Sequence, residues 1–507
     1  MAFAAKHRHL VLALLAIASA AVLVWFGNGL NPLWPLLWFA PLPVLLFALH
    51  SDWRSAAIVA FLAWLIGGLN LWHYLRLLGV PAGAWFSIFG AVALIFAAAV
   101  LAFRALVHRG APWSALLVLP ATWVSFEYIR NLTTPHGTAG SLAYSQLHFL
   151  AFLQLASITG PRGLSFLLLL FPAALAIALY LRRSQPQQAL SIVAASLGTI
   201  VLVLVFGVVR LAIPQSQKVK VGLIASDTPA NVNIAAPGAK SRRLFADYAR
   251  EAESLTARGA QFIVMPEKLG TVTDTDAGET DDIFQPLADK TGSTIVVGLV
   301  HKSGPRDYNQ ARIYTPQAPV ASYNKHHLLP PFESSLTPGT TLTLLPQPPG
   351  TRGVAICKDM DFTPLSRRYG NAGAGLMLVP GWDFNIDRAW HGHIAVMRGV
   401  EDGFSIARAA KDGYLTVSDD RGRIVAETRS DSAPFATLLV DVPAAHDRTL
   451  FLLLGNWFAW LSFALCGLTL LRLFSLRGPV LRGAVLRGPV PSAETDSSIA
   501  HRALSSK

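Results

Sequence analysis

Three residues in the middle of this 507-residue chain are of types that, gathered at one place, perform acyl transfer, and each follows a short apolar or β-prone run. Glu267 comes after Gln261-Phe262-Ile263-Val264-Met265-Pro266, Lys325 after Ser322-Tyr323-Asn324, and Cys357 after Gly353-Val354-Ala355-Ile356. A carboxylate can take the proton of a thiol, the thiolate can attack a carbonyl carbon, and an ammonium can stabilise the oxyanion that results. The only other cysteine, Cys466, lies in a long apolar run near the C-terminus, so Cys357 has no partner in its own segment. A buried, inert cysteine is the plain alternative, but the run-end position and the neighbouring Lys358, a cation that favours thiolate, favour a nucleophile.

These groups meet only if the runs are strands of one layered domain. From Val219 onward the pattern is of short β-rich runs alternating with helical stretches, with strands expected at Val219–Ile224, Phe262–Met265, Thr294–Val300, Gln310–Tyr314, Gly353–Cys357, Leu376–Val379 and Leu415–Val417. Nearly continuous apolar runs fit strands buried on both faces. Ser241–Arg258 reads as an amphipathic helix stopped at Gly259. Alternating helices and buried strands imply an α/β domain, whose sites gather at strand ends.

The rest of the chain is of another kind. Overall 52% of residues are hydrophobic and 14% are charged, well below the roughly 25% charged of soluble proteins. The net charge of +12 divides into +9 over residues 1–216, −1 over 217–450 and +4 over 451–507. A nucleic-acid groove would need its excess on the folded domain, which is nearly neutral, so no nucleic-acid partner is expected. Runs of about 20 apolar residues suit membrane spans, and eight are expected near 10–26, 33–49, 56–75, 84–103, 113–129, 164–181, 189–210 and 451–473. Lys6, Arg8, Arg54, Arg104, Arg109, Arg182, Arg183 and Arg472 all fall on one side of such a bundle. The positive-inside rule then puts both termini in the cytoplasm and the α/β domain outside. The boundaries expected are 1–216 for a membrane domain of about seven spans, 217–450 for the α/β domain, 451–475 for a final span and 476–507 for a flexible basic tail. Trp34, Trp38, Trp85 and Trp113 near span ends read as interfacial belt residues, and Glu127 and Arg130, three apart, as an ion pair or a substrate-handling pair.

The trio Glu267, Lys325 and Cys357 resembles the Glu-Lys-Cys triad of the nitrilase, or carbon-nitrogen hydrolase, superfamily, and with the spans the whole chain from about 10 to 475 resembles the bacterial apolipoprotein N-acyltransferases. The matching stretches are Val264-Met265-Pro266-Glu267, Tyr323-Asn324-Lys325-His326-His327-Leu328-Leu329-Pro330, Ala355-Ile356-Cys357, Phe126-Glu127-Tyr128-Ile129-Arg130, Tyr144-Ser145-Gln146, and Met397-Arg398-Gly399-Val400-Glu401 with Arg408-Ala409. The resemblance implies a multi-span α-helical membrane bundle carrying an extracytoplasmic nitrilase-like αββα sandwich, in the inner (cytoplasmic) membrane of a bacterium. It implies two-step transfer, in which Cys357 takes an acyl chain from a membrane phospholipid as a thioester and passes it to the terminal amine of a diacylglyceryl lipoprotein. Glu267 is then the general base, Lys325 the oxyanion stabiliser, and Glu333 and Asp359 the supporting or substrate-facing carboxylates.

Some positions depart from the family. Lys358-Asp359 stands where Tyr-Glu is usual, Pro380-Gly381-Trp382-Asp383-Phe384 where an Asn-Asp-x-Trp stretch is usual, Lys411 in place of an Asn, and Lys268 in place of a small hydroxyl residue. These changes bear on substrate more than on reaction type, and they leave open a membrane-anchored hydrolase, with water as acceptor, or a weakly active relative that binds lipid or lipoprotein. His391 and His393 are spaced i,i+2, which does not share a helix face, so a structural role is expected and no metal. No Gly-rich phosphate loop follows a strand, so no cofactor is expected either.

Overall fold

The computed structural model describes residues 2–215, 217–348 and 350–476, with side chains from Lys6 onward. The tail expected over 476–507 therefore lies, beyond Leu476, outside the described residues. Thirteen strands, numbered in chain order, form two sheets. The first runs β13-β1-β2-β4-β5-β6, with β3 beside β4. Its members are β1 (Lys218–Ala225), β2 (Phe262–Val264), β3 (Thr271–Thr273), β4 (Thr294–Ser303), β5 (Arg306–Tyr314), β6 (Ala321–Asn324) and β13 (Ala436–Pro443). The second runs β12-β11-β10-β9-β8-β7, from β7 (Thr343–Pro346), β8 (Thr351–Val354), β9 (Ala374–Trp382), β10 (Ser405–Lys411), β11 (Tyr414–Ser418) and β12 (Ile424–Arg429).

Strand periodicity explains the layering. On β2, Val264 faces the second sheet while Ile263 faces the helices; on β4, Val296 faces in while Ile295 and Val297 face out. The outer face of the first sheet is covered by helices Ala239–Ala257 and Ala277–Thr291, through Phe245, Tyr248 and Phe284. Between the sheets, Leu223, Val264 and Val296 meet Leu376, Leu378 and Ala407. Helices Thr363–Asn371 and Trp390–Asp402 lie on the second sheet, completing the αββα order expected. The helix expected at Ser241–Arg258 spans Ala239–Ala257, and Gly259 follows with φ +91°.

Among the described residues six helices are long and apolar enough to cross a membrane: Lys6–Gly27, Trp53–Leu77, Ala82–His108, Pro161–Leu181, Pro186–Ala212 and Trp457–Ser475. Two of the eight expected spans differ. The run at 33–49 is broken into Trp34–Leu37 and Leu42–His50, because Pro35, Pro41 and Pro43 allow a helix to begin but not to continue through them. The run at 113–129 is one helix, Pro112–Thr133, but it is packed among others and carries buried Ser125 and Glu127. Trp38 is 8% exposed and donates from Nε1 to Gln146, so it belongs to the bundle core and not to an interfacial belt.

The helix Trp390–Asp402 joins the two bodies. Ala395 packs into the core between the sheets, whereas Trp390, Ile394, Met397 and Val400 belong to the same apolar cluster as the membrane helices. Fully buried Arg398 reinforces the joint, donating to Tyr144 Oη (2.9 Å), Glu401 Oε1 (2.6 Å) and Thr363 Oγ1 (2.5 Å). The segment 131–163, which reads as a long mixed loop, is thereby held as a packed connector. Thr138 donates to the Asp361 carbonyl through both its amide (2.9 Å) and its hydroxyl (2.8 Å). Gly137, at φ +52°, comes so close that a Cβ would stand 2.4 Å from the same carbonyl oxygen.

Gly298 on β4 sets the path of the chain into the site. A Cβ there would lie 2.3 Å from the Pro266 carbonyl oxygen and 2.7 Å from the Glu267 Cα. Gly298→Ala is expected to destabilise the protein by about 1 to 3 kcal/mol, the range of an overpacked core, and to change the reactivity of Cys357 by more than the same loss of stability does when made in helix Ala239–Ala257. Thermal unfolding and the rate of thiol alkylation measured on both variants check this.

Candidate active site

The chain passes from β2 through Met265 and Pro266 to Glu267, whose amide donates to the Gly381 carbonyl on β9 (3.2 Å), so the carboxylate is anchored to both sheets. Lys325 follows β6 and is fixed by its own amide, which donates to Asn309 O on β5 (2.8 Å). The strand expected to end at Cys357 stops at Val354. Cys357 instead opens a single 3₁₀ turn, Cys357–Asp361, with φ +47°, a left-handed conformation unusual outside glycine. Such strain is retained where the surroundings over-determine it. Here Asp359 does so: its carboxylate accepts from the Ile356 amide (3.1 Å), Tyr323 Oη (2.7 Å), the His326 amide (3.1 Å), and the His327 amide (2.8 Å) and Nδ1 (3.1 Å). Fully buried and so engaged, Asp359 holds the nucleophile turn against the Lys325 loop and is not among the residues lining the cavity.

Glu267, Lys325 and Glu333 form one buried cluster. Lys325 Nζ donates to Glu267 Oε1 at 2.8 Å and to Glu333 Oε2 at 2.9 Å. Asn309 Nδ2 donates to Oε1 of both carboxylates, and Lys268 Nζ to Glu333 Oε1 at 2.7 Å. The Leu329 amide also donates to Glu333 Oε2, at 2.8 Å. Glu333, whose plainer reading is a surface loop carboxylate, is thus 1% exposed and bound to Lys325. Burial alone would depress the Lys325 ammonium, but Glu267 and Glu333 outweigh it and hold the lysine well above its ordinary range. Burial likewise favours neutral Glu333, and Lys325 and Lys268 overcome it and hold the carboxyl well below its usual range. Glu267 Oε2 is buried without a hydrogen-bond partner, and Glu267 lines the same cavity as Cys357.

A second pair, not legible in the sequence, stands on the other side of the thiol. Arg408 on β10 makes a two-pronged bond to Asp383, at 2.8 and 2.5 Å, and its Nη2 lies 3.9 Å from Cys357 Sγ. Gly381 makes room for it, since a Cβ there would press on the guanidinium at 3.0 Å. Lys411 covers the Trp382 ring at 3.6 Å and donates to the Lys268 carbonyl at 3.0 Å, and burial brings its ammonium down to about 7. Burial and the Glu267 charge push the Cys357 thiol well above its ordinary range, against the opposing fields of Lys325 and Arg408. Burial therefore favours the neutral thiol of Cys357, and Lys358 does not reverse it.

The site opens on a cavity of about 550 Å³. Glu267, Lys325, Cys357 and Glu333 line its sheet end, and Leu75, Leu78, Ile88 and Phe89, from the helices Trp53–Leu77 and Ala82–His108 and the turn between them, line the other. His391 stands at the junction, between Asp361 (3.4 Å), Asp387 (3.4 Å) and Tyr74 Oη (3.3 Å). Burial opposes its charge, but the two aspartates prevail and raise it to about 10. His393 makes an edge contact with His148, with ring centroids 5.4 Å apart. Glu127 and Arg130 do not pair: the carboxylate accepts from Trp123, Ser141, Ser165 and the Leu142 amide, while Arg130 lines the cavity.

Two outcomes check this geometry. A raised thiol stays protonated until the pH passes well beyond the ordinary value of about 8.5. In a Cys466→Ser background, alkylation of Cys357 by iodoacetamide is expected to rise with pH and show no plateau up to pH 9; a plateau below pH 8 contradicts it. Removing one partner of a buried pair leaves the other charge unpaired, so Asp383→Asn is expected to cost about 3 to 5 kcal/mol in denaturant unfolding.

The chain is similar to known proteins over most of its length. Residues 20–174 match the apolipoprotein N-acyltransferase N-terminal domain, and residues 239–433 match the carbon-nitrogen hydrolase domain. An apolipoprotein N-acyltransferase of Geobacter metallireducens is 27% identical over 467 residues, covering 84% of this chain and 88% of its own. One from Shewanella oneidensis is 24% identical, covering 86% and 87%. Among solved structures, an amidase from Nesterenkonia sp. is 21% identical, covering 48% of this chain and 98% of its own at a TM-score of 0.40. Saccharomyces cerevisiae Nit3, a member of branch 10 of the nitrilase superfamily, is 22% identical, covering 45% and 91% at 0.38. With both domain models matched in succession on one chain, and relatives of one name aligned along most of its length, the chain belongs to the apolipoprotein N-acyltransferase family.

Proposed function

We propose that the chain transfers an acyl group from a membrane glycerophospholipid to the terminal amine of a diacylglyceryl lipoprotein, with Cys357 as nucleophile, Glu267 as general base and Lys325 as oxyanion stabiliser. The observation that carries this reading is the cavity, in which a thiol, a carboxylate and an ammonium share one space with apolar side chains from helices long enough to cross a membrane. A soluble amide substrate has no need of that apolar wall; an acyl chain does.

In the first step the free Oε2 of Glu267 takes the thiol proton as sulfur attacks the ester carbonyl carbon. The oxyanion forms beside Lys325, whose charge the two carboxylates secure. The C–O bond then breaks, and the lysophospholipid leaves with the proton returned from Glu267, so the enzyme is left as a thioester. In the second step the lipoprotein amine attacks the thioester carbonyl, its proton passes to Glu267, an amide bond forms, the C–S bond breaks, and the proton restores the thiol. Glu333 touches neither reactant in this sequence and serves to hold Lys325. Water as acceptor would give hydrolysis by the same chemistry, and the apolar wall favours a lipid-anchored acceptor.

We place the α/β domain on the outer face of the bacterial inner membrane and both termini in the cytoplasm, from the distribution of Lys and Arg among the spans. The test is acyl transfer in phospholipid micelles to a diacylglyceryl peptide. Glu267→Gln is expected to lower turnover by about 10²- to 10⁴-fold, and Cys357→Ser to abolish N-acyl peptide. Free fatty acid as the sole product of the wild type would overturn the transferase reading in favour of hydrolysis.

A further inference from the structure

Lys358, directly after Cys357, is 3% exposed and lines the cavity, yet its Nζ has no hydrogen-bond partner among the described residues. Lys325 and Lys268, which line the same space, each donate to a carboxylate. Arg130 enters from the membrane-side helix Pro112–Thr133 and also lines the cavity. It donates to the Ala139 carbonyl at 3.2 Å, and it has no carboxylate within ion-pair distance among the described residues.

The charges at this end of the cavity do not cancel. Lys358, Arg130 and His391 line the cavity together with Asp361, and His391 engages both Asp361 and Asp387, the latter outside the lining. His136 lines the same cavity as Lys358 and Arg130. A buried cation without a counter-charge is costly, and it is tolerated where an anion completes it. The anion fitting here is singly charged and attached to apolar chains, because Leu75, Leu78, Ile88 and Phe89 continue the same surface.

We propose that Lys358 and Arg130 form the seat of the phosphodiester of the acyl donor, Lys358 from the sheet domain and Arg130 from the membrane domain. The inference rests on the proposed transfer reaction and adds to it the group that anchors the donor. Held there, a glycerophospholipid has its charge beside the nucleophile turn, its chains on the helices and an acyl ester near Cys357. The departure Lys358 then supplies a charge where the family usually has an aromatic ring.

The test compares two donors of the Cys357 thioester in the full chain, phosphatidylglycerol in detergent micelles and p-nitrophenyl palmitate, which has no phosphate. Lys358→Met and Arg130→Met are expected to raise the KM for phosphatidylglycerol by roughly tenfold to a hundredfold, the worth of one charge-assisted bond, with a much smaller change on the p-nitrophenyl ester. Lys358→Arg is expected to restore most of the phospholipid KM. Equal losses on both donors would overturn the seat, since Lys358 would then act at the reacting carbonyl. Inorganic phosphate that inhibits the ester reaction while the phospholipid KM ignores Lys358→Met would also overturn it, in favour of a free-phosphate site. Should wild type form no thioester from either donor, the transfer reading itself would fall, an outcome distinct from a lost preference for the phospholipid.

Discussion

A buried ammonium between two buried carboxylates is the constraint on which the site depends. Lys325 is secured by Glu267 and Glu333, Lys268 and Asn309 complete the carboxylates, and two negative charges are met by two positive ones. Such a cluster is costly to remove from water and holds only when its geometry is complete. Of the carboxylate oxygens in this cluster, one is left over among the described residues, Glu267 Oε2, and Glu267 lines the cavity that holds the thiol. In the proposed reaction this acceptor serves as the base and the neutral thiol is what it acts on.

The two bodies of the chain are coupled through the same region. The nucleophile turn is tied to the membrane-side connector by Thr138 on the Asp361 carbonyl, and the helix Trp390–Asp402 belongs to the core of both bodies. The turn that carries Cys357 is thereby packed directly against the membrane-side segments. The positions departing from the family are accommodated within this frame: Gly381 leaves room for Arg408, Lys411 covers Trp382, and Lys268 is bound to Glu333.

Much of this was legible in the sequence, for identifiable reasons. Glu267, Lys325 and Cys357 stand out because reactive side chains follow short β-prone runs, and strand ends of a layered domain converge. The strand cores are legible because buried strands are apolar, whereas β10, with Arg408 and Lys411 within it, and the edge strand β12 carry weaker patterns. The Arg408–Asp383 pair is invisible because 25 residues separate its members and only the parallel pairing of β9 with β10 brings them together. Glu127 and Arg130 have the spacing of an ion pair, but donors from three other places take the carboxylate. The left-handed backbone of Cys357 has no local signal, because it is imposed by Asp359 through residues on a different loop.

The central claim is that Cys357 carries the acyl group in a cavity shared by the sheets and the membrane helices. Its most direct test is the mass of the intact protein, quenched in acid after incubation with a phospholipid of defined chains and no acceptor, followed by mapping of the adduct. The expected result is one acyl group per chain, on Cys357, released by hydroxylamine at neutral pH. No adduct, or an adduct on another residue, would contradict the account.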